Sequence, residues 1–223
     1  MSELFDALFP EATNRRTRIN GVATAIVTNN QDPEGLGRVK LKYPWLSAEN
    51  ESDWARIAVP MGGSAMGTYF LPEVDDQVLV AFEQGDRDRP FVLGTLWHKN
   101  AKPPETNDDG KNNMRTLKSR SGHIVRLDDT DGAEKIQVLD KTGNNKIEID
   151  SSANTITITS DMDLTIESAK GKLVLKGKTG VEITSGADVK AEAQANVAVT
   201  ATANMDLKAS GNTTVKGAMI NLN

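Results

Sequence analysis

His98 and His123 are the chain's two histidines, and cysteine is absent from its 223 residues, so candidates for nucleophilic, acid–base or metal chemistry are few. The two histidines stand far apart in sequence, without the close spacing of a ligand pair, and a structural or solvent-exposed role is expected of both. Asp128, Asp129 and Asp131 crowd the turn-forming stretch DDTDGAE, where solvated loop carboxylates are expected rather than an acid–base pair. MGGSAMG, residues 61–67, has the glycines of a phosphate loop without its lysine and is expected to be a flexible loop, and TSGAD lacks the form of a nucleophile elbow. No catalytic residue, no cofactor and no metal site is expected, and the chain is not expected to be an enzyme. What remains is the elements themselves.

The C-terminal third looks helical by composition and is not helical by period. In ADVKAEAQANVAVTATANMDLKASGN the larger apolar residues fall two apart and then eight apart, as in Val197, Val199, Met205 and Leu207. The same frame runs from Ile156 to Ile220 as ITITSDMD, LTIESAKGK, LVLKGKTG, VEITSGAD, VKAEAQAN, VAVTATAN, MDLKASGN and TTVKGAMI, eight repeats of which only the second exceeds eight residues, by one. In most repeats the first and third positions are large and the fifth is small (Ser160, Gly177, Ala193, Ala201), and the last is usually Asp, Asn, Gly or Lys. Alternate residues of a strand share a face, and turn formers end it, so each octad reads as one short strand and one corner.

Two substantial apolar side chains per eight residues cannot offset the entropy of ordering that backbone in a lone chain. Threefold intertwining resolves this, because each strand then pairs above and below with strands of the other two copies and edges survive only at the ends. The expected trimer core is Ile156, Ile158, Leu164, Ile166, Leu173, Leu175, Val181, Ile183, Val189, Val197, Val199, Met205, Leu207 and Val215. The narrow cross-section also accounts for the missing rings: all ten aromatics lie between Phe5 and Trp97, and all eight prolines between Pro10 and Pro104.

Ahead of the octads, residues 21–97 hold five strand candidates, 22–28, 37–44, 54–60, 77–83 and 91–97, separated by turns such as NNQDPEGLG and QGDRDRP. Five short antiparallel strands in so few residues point to a small closed barrel, an OB-fold first among the types. HKNAKPPETNDDGKNN, residues 98–113, is a polar linker. HIVRL, KIQVL and KIEID beyond it read as a hairpin meander forming a neck. The expected organisation is an N-terminal segment 1–20, an OB-fold domain 21–97, a linker 98–113, a β neck 114–150 and a triple-stranded β-helix 151–223. The fold class is all-β, an OB barrel followed by an intertwined β-helix.

Residues 1–113 carry 12 Lys+Arg against 17 Asp+Glu, and residues 114–223 carry 14 of each, so neither half has the cationic footprint that nucleic-acid binding needs. MSELFDALFP is acidic and too short in apolar run for a signal peptide, and no stretch approaches the length of a membrane span, so synthesis is expected to end in the cytoplasm. Leu4, Phe5, Leu8 and Phe9 are expected to form a short helical turn packed on their own domain.

The stretch GVATAIVTNNQDPEGLGRVKLKYP, followed by WARIAVPMGGSAMGTYFLPEVDDQVLVAFEQGDRDRPFVLGTLW, resembles the OB domain of contractile-tail spikes: the phage baseplate assembly protein V family and the VgrG spikes of type VI secretion. The pieces that carry the resemblance are Asp32-Pro33 with Leu36-Gly37-Arg38-Val39, the run from Gly67 to Phe70 into Pro72-Glu73-Val74, Val78-Leu79-Val80, Gly85-Asp86, and Arg89-Pro90 with Val92-Leu93-Gly94. One departure is Asp75-Asp76, where the family usually has Gly-Asp, so the conformation of that turn does not carry over. The octads resemble the family's C-terminal triple-stranded β-helix.

The resemblance implies a homotrimeric needle, seated on a baseplate hub protein at the barrel end and driven through a target envelope when a sheath contracts, with transient contact with the target membrane. It implies assembly in the cytoplasm as part of a phage tail or injection particle. VgrG proteins usually fuse a hub ahead of the barrel, and the short segment before this one implies a separate hub. The histidine-x-histidine iron site of some phage needles has no counterpart here. Lacking it, the end is expected to be capped by a PAAR-type tip protein on Gly217, Ala218, Met219, Ile220, Asn221, Leu222 and Asn223.

Two other classes compete. β-Helices also serve enzymes acting on polysaccharide or acyl substrates, but left-handed acyltransferase helices use six-residue turns and a histidine, against octads that hold none. An OB-fold binding protein on a trimeric stalk would present aromatics among basic residues, against an acidic first half.

Overall fold

The structure is a computed structural model and describes residues 18–46 and 51–221; Leu4, Phe5, Leu8, Phe9, Leu222 and Asn223 lie outside the described residues. The chain divides into two units, Met1–Leu164 and Thr165–Asn223. Among the described residues the regular structure is all β apart from one 3-10 turn at Glu83–Gly85, and no helix is long and apolar enough to cross a membrane.

In the first unit, β1 (Val22–Asn29), β2 (Lys40–Lys42), β3 (Arg56–Ile57), β6 (Gln77–Phe82) and β7 (Pro90–Thr95) form one sheet in the order β2-β1-β6-β7-β3. Its two outer strands meet as well. Val39 and Ala55 exchange both backbone hydrogen bonds, at 3.0 and 2.8 Å, which closes the sheet into a ring. β3 runs parallel to β7 while the other ladders are antiparallel. A five-membered ring of this order is the OB barrel.

The period-two pattern explains what fills it. Ala25, Val27, Val39, Leu41, Val78, Val80 and Val92 are completely buried, while the residues between them face outward. Tyr43 completes one end, with its ring centroid 5.4 Å from that of Trp45 and 5.8 Å from that of Phe82. Burial pushes its phenol up to about 12. The Ser52 hydroxyl is committed to the Leu41 amide and the Asp53 carbonyl, and the Tyr43 hydroxyl has no hydrogen-bond partner among the described residues.

The β1–β2 connection is organised by one carboxylate. Asp32 accepts hydrogen bonds from the backbone amides of Glu34, Leu36 and Arg38 and from Nε and Nη2 of Arg38, the last at 2.7 Å, and its side chain is 3 % exposed. The Arg38 guanidinium, aided by these amides, holds the carboxyl far below the usual carboxylate range. A depressed acid stabilises the fold fully above its unfolded pKa, and that stabilisation is lost as pH falls toward the folded value. Thermal unfolding followed from about pH 5 to about pH 2 is therefore expected to show a steeper acid-side loss in the native chain than in Asp32→Asn, which starts lower at neutral pH. Parallel curves for the two proteins would remove Asp32 as the source of that slope.

The turn at Asp75-Asp76 takes the conformation a glycine favours. Asp75 has φ +74°, its amide bonds to the Val27 carbonyl at 2.9 Å, and the Val27 amide bonds to the Asp76 carbonyl at 3.0 Å. The Asp76 carboxylate accepts the Glu73 amide at 2.9 Å and closes the turn. An aspartate is strained in this left-handed region, so Asp75→Gly is expected to stabilise the barrel by about 0.5–1 kcal/mol in denaturant titration.

A small hairpin of β4 (Gly62–Gly63) and β5 (Met66–Gly67) occupies the stretch read as a flexible loop. Gly67 is required there. Its φ is +145°, and a Cβ on it would lie 2.5 Å from the Met61 carbonyl oxygen.

Candidate assembly surfaces

The residues read as a neck, 114–150, build four strands of a five-stranded antiparallel meander in sequence order, β8 (Met114–Lys118), β9 (Ile124–Asp128), β10 (Lys135–Leu139) and β11 (Lys146–Asp150); the fifth, β12 (Thr155–Thr159), comes from residues read as the start of the β-helix and pairs with β11. Its turns are set by aspartates that accept local donors. Asp128 takes the Thr130 amide and hydroxyl, Asp140 the Thr142 hydroxyl and the Asn145 side chain, and Asp150 the Ala153 amide and the Ser152 hydroxyl. These bonds lower all three acids. Asp140 falls to about 2, chiefly through Thr142, and Asp150 to about 2, chiefly through Ala153.

The register sorts the meander's side chains into two unlike faces. On one, Thr116 stands beside Arg126, Arg126 beside Gln137, Gln137 beside Glu148 and Glu148 beside Thr157. Gln137 donates to Glu148 at 2.7 Å, and Lys135 lies 3.2 Å from Asp150. Glu105 from the linker docks on this face, accepting from Arg126 at 2.6 Å and from the Thr116 hydroxyl at 2.8 Å. Both donors hold its carboxyl below the ordinary value, Thr116 more strongly.

The other face is apolar in rows. Leu117, Val125, Val138, Ile147 and Ile158 align across all five strands, and beside them run Arg115, Leu127, Ile136, Ile149 and Ile156. Only Arg115, paired with Asp129 at the edge, interrupts the pattern. Nothing among the described residues covers this face: the first row is 45–59 % exposed, whereas the valines of the barrel core are at 0 %. A concavity of about 930 Å³ opens along it, lined also by Phe70, Trp97 and Leu164.

Of the expected trimer core, the structure brings together Ile156 and Ile158, which face Ile149 and Ile147 across the β11–β12 ladder. β12 is the first octad, and it ends the meander. Ile166, Leu173, Leu175, Val181, Ile183, Val189, Val197, Val199, Met205, Leu207 and Val215 lie along residues 165–221, which have no strand partner among the described residues, and all are exposed. Gly217 to Asn221 are likewise exposed.

The apolar face of β8 to β11 was not among the sequence-derived core residues, although Val125 and Leu127, Ile136 and Val138, and Ile147 and Ile149 each carry the period-two signal that could have named them. A second exposed apolar group, Met61, Met66, Tyr69 and Phe70, borders the β4–β5 hairpin and had no sequence signal to mark it. No cluster of three or more metal-ligating side chains occurs among the described residues.

A closed OB barrel is thus joined to an antiparallel meander and followed by octads without a strand partner among the described residues. Residues 23–97 match the family described as the type VI secretion system/phage-baseplate injector OB domain, and that part of the chain is such a domain. The chain is a relative of VgrG spike proteins. It is 33 % identical over 145 residues to the type VI secretion system spike protein VgrG5 of Pseudomonas aeruginosa, a match covering 58 % of this chain and 18 % of that protein. It is 29 % identical over 133 residues to VgrG3 of Vibrio cholerae, covering 54 % of this chain and 13 % of that protein. It is 32 % identical over 108 residues to the actin cross-linking toxin VgrG1 of Vibrio cholerae, covering 46 % of this chain and 10 % of that protein. The matched region is thus a small fraction of each relative's length.

Proposed function

We propose that this chain is the central spike of a contractile tail or injection system, a homotrimer that seats its barrels on a baseplate hub and drives its octad shaft through a target envelope. The observation that carries this reading is the uncovered apolar face of the meander, continued by octads without in-chain partners. Three copies would turn nine apolar side chains apiece toward a common axis and pair the octads between chains, satisfying backbone groups that one chain leaves open. The work is mechanical rather than catalytic, because continuous backbone pairing makes a shaft without soft joints. Such a spike would be assembled in the cytoplasm with its particle and delivered to or through the target envelope.

Light scattering on a size-exclusion column tests the trimer: three chains of 24.1 kDa should elute as one species of about 72 kDa, and a monodisperse monomer would overturn the reading. The same proposal puts a PAAR-type tip protein on residues 217–223, where the exposed Ala218, Met219 and Ile220 need cover. Deleting residues 217–223 should abolish capture of a co-expressed PAAR protein, and unchanged capture would remove the tip assignment.

A further inference from the structure

The charges of the octads are not evenly spread. Between Glu167 and Glu182 the chain has four lysines, Lys170, Lys172, Lys176 and Lys178, and no acid, while Asp161, Asp163 and Glu167 precede the stretch and Glu182, Asp188 and Glu192 follow it. Of the other three octad lysines, Lys190 lies 2.7 Å from Glu192 and Lys208 lies 3.4 Å from Asp206, each two residues away, while Lys216 forms no ion pair among the described residues. Lys170, Lys172, Lys176 and Lys178 are exposed and form no ion pair among the described residues. Lys176 and Lys178, at the fourth and sixth positions of the octad LVLKGKTG, share the parity of Val174 at the second, which is 59 % exposed. At the second, fourth and sixth positions of the octads, Val174 is the only aliphatic residue larger than alanine.

We infer that residues 170–178 form a cationic collar on the shaft that docks against the phosphate-bearing headgroups of an anionic membrane. The inference rests on the trimeric spike reading, since three copies bring twelve ammonium groups to one level. Two stacked octads occupy about 10 Å of shaft, close to the distance over which salt screens charge, so the twelve act together. A ring of positive charge around a rod matches a planar anionic sheet that the rod pierces, with Val174 entering the interface between headgroups. A long polyanion fits less well. The acids on both sides fence the collar, and the absence of aromatics beyond Trp97 leaves no stacking surface for bases. The shaft is therefore not uniformly inert toward the lipid it crosses.

The test is sedimentation of the full chain with vesicles of phosphatidylcholine alone or with about 30 mol % phosphatidylglycerol. Light scattering comes first. A monomer overturns both the spike reading and the collar, whereas a trimer that ignores vesicles overturns the collar alone. The expected result is that the trimer pellets with anionic and not with neutral vesicles and is released by salt of roughly 0.5 M. The variant with Lys170, Lys172, Lys176 and Lys178 all changed to Gln should remain trimeric and bind roughly tenfold more weakly or worse. Changing the same four to Arg should retain binding, as should Lys190→Gln with Lys208→Gln, whose ammonium groups are already paired. Equal binding to neutral vesicles, or an unaffected quadruple Gln variant, overturns the proposal. So does competition by inorganic phosphate at equal phosphate concentration, or by duplex DNA more strongly than by vesicles.

Discussion

Val138→Asp is expected to abolish the 72 kDa species and leave a chain of about 24 kDa that keeps its barrel. Val138 stands at the centre of the meander, on the middle strand, between Val125 and Ile147 in the row that Leu117 and Ile158 complete. In one chain the position is 45 % exposed, so a carboxylate there remains solvated and local stability changes little. In three chains the same carboxylates would meet near a common axis, and removing an ion from water costs several kcal/mol even after relaxation, on top of about 1.5–3 kcal/mol of lost burial per valine. The assembly loses these amounts three times over. Thr157→Lys, on the opposite face and directly beside Glu148, adds a charge where one is already balanced and should leave the mass unchanged. A trimeric Val138→Asp with an unaltered unfolding temperature would show that the apolar face is covered by something other than copies of this chain.

Val197→Asp is expected to collapse the trimer yield, while Thr200→Asp is tolerated. Val197 opens the octad VAVTATAN and Thr200 is its fourth residue, so the two have opposite parity on one short strand. Both side chains are exposed in the single chain, which means that burial in one copy cannot distinguish them and any difference arises between copies. If the first position faces the axis, three aspartates at 197 confront one another at close range in a narrow core, whereas three at 200 point into water. A strand shifted by one residue would reverse the outcome, because a slip of one exchanges the faces. Equal behaviour of the two variants would show that the octads are not registered about a threefold axis.

The sequence by itself determined the barrel strands and the first octad's strand. Alternation in VATAIVT and QVLVAFE marked barrel strands whose even and odd residues part between core and water, and of the octads only the first carries a strand among the described residues, β12. The turn chemistry was equally plain, since Asp, Gly and Asn recur where Asp128, Asp140 and Asp150 now hold the meander's turns. The stretch from Asp32 to Arg38 has a local cause too, because the two residues lie six apart and the carboxylate ties the intervening amides.

Pairing was decided only in three dimensions. The Val39–Ala55 bridge that closes the barrel and the parallel β3–β7 ladder join residues with no local sequence relation. The backbone sign at Asp75 is set by its bonds to Val27 rather than by its own preference. Register also decided that Val125, Val138 and Ile147 fall in one row, because two strands' alternations are each legible alone but their relative shift is fixed by the turn between them. Residues 165–221 take no strand partner among the described residues, so the octads' periodicity specifies which side chains need burial while the single copy offers no surface against which to bury them.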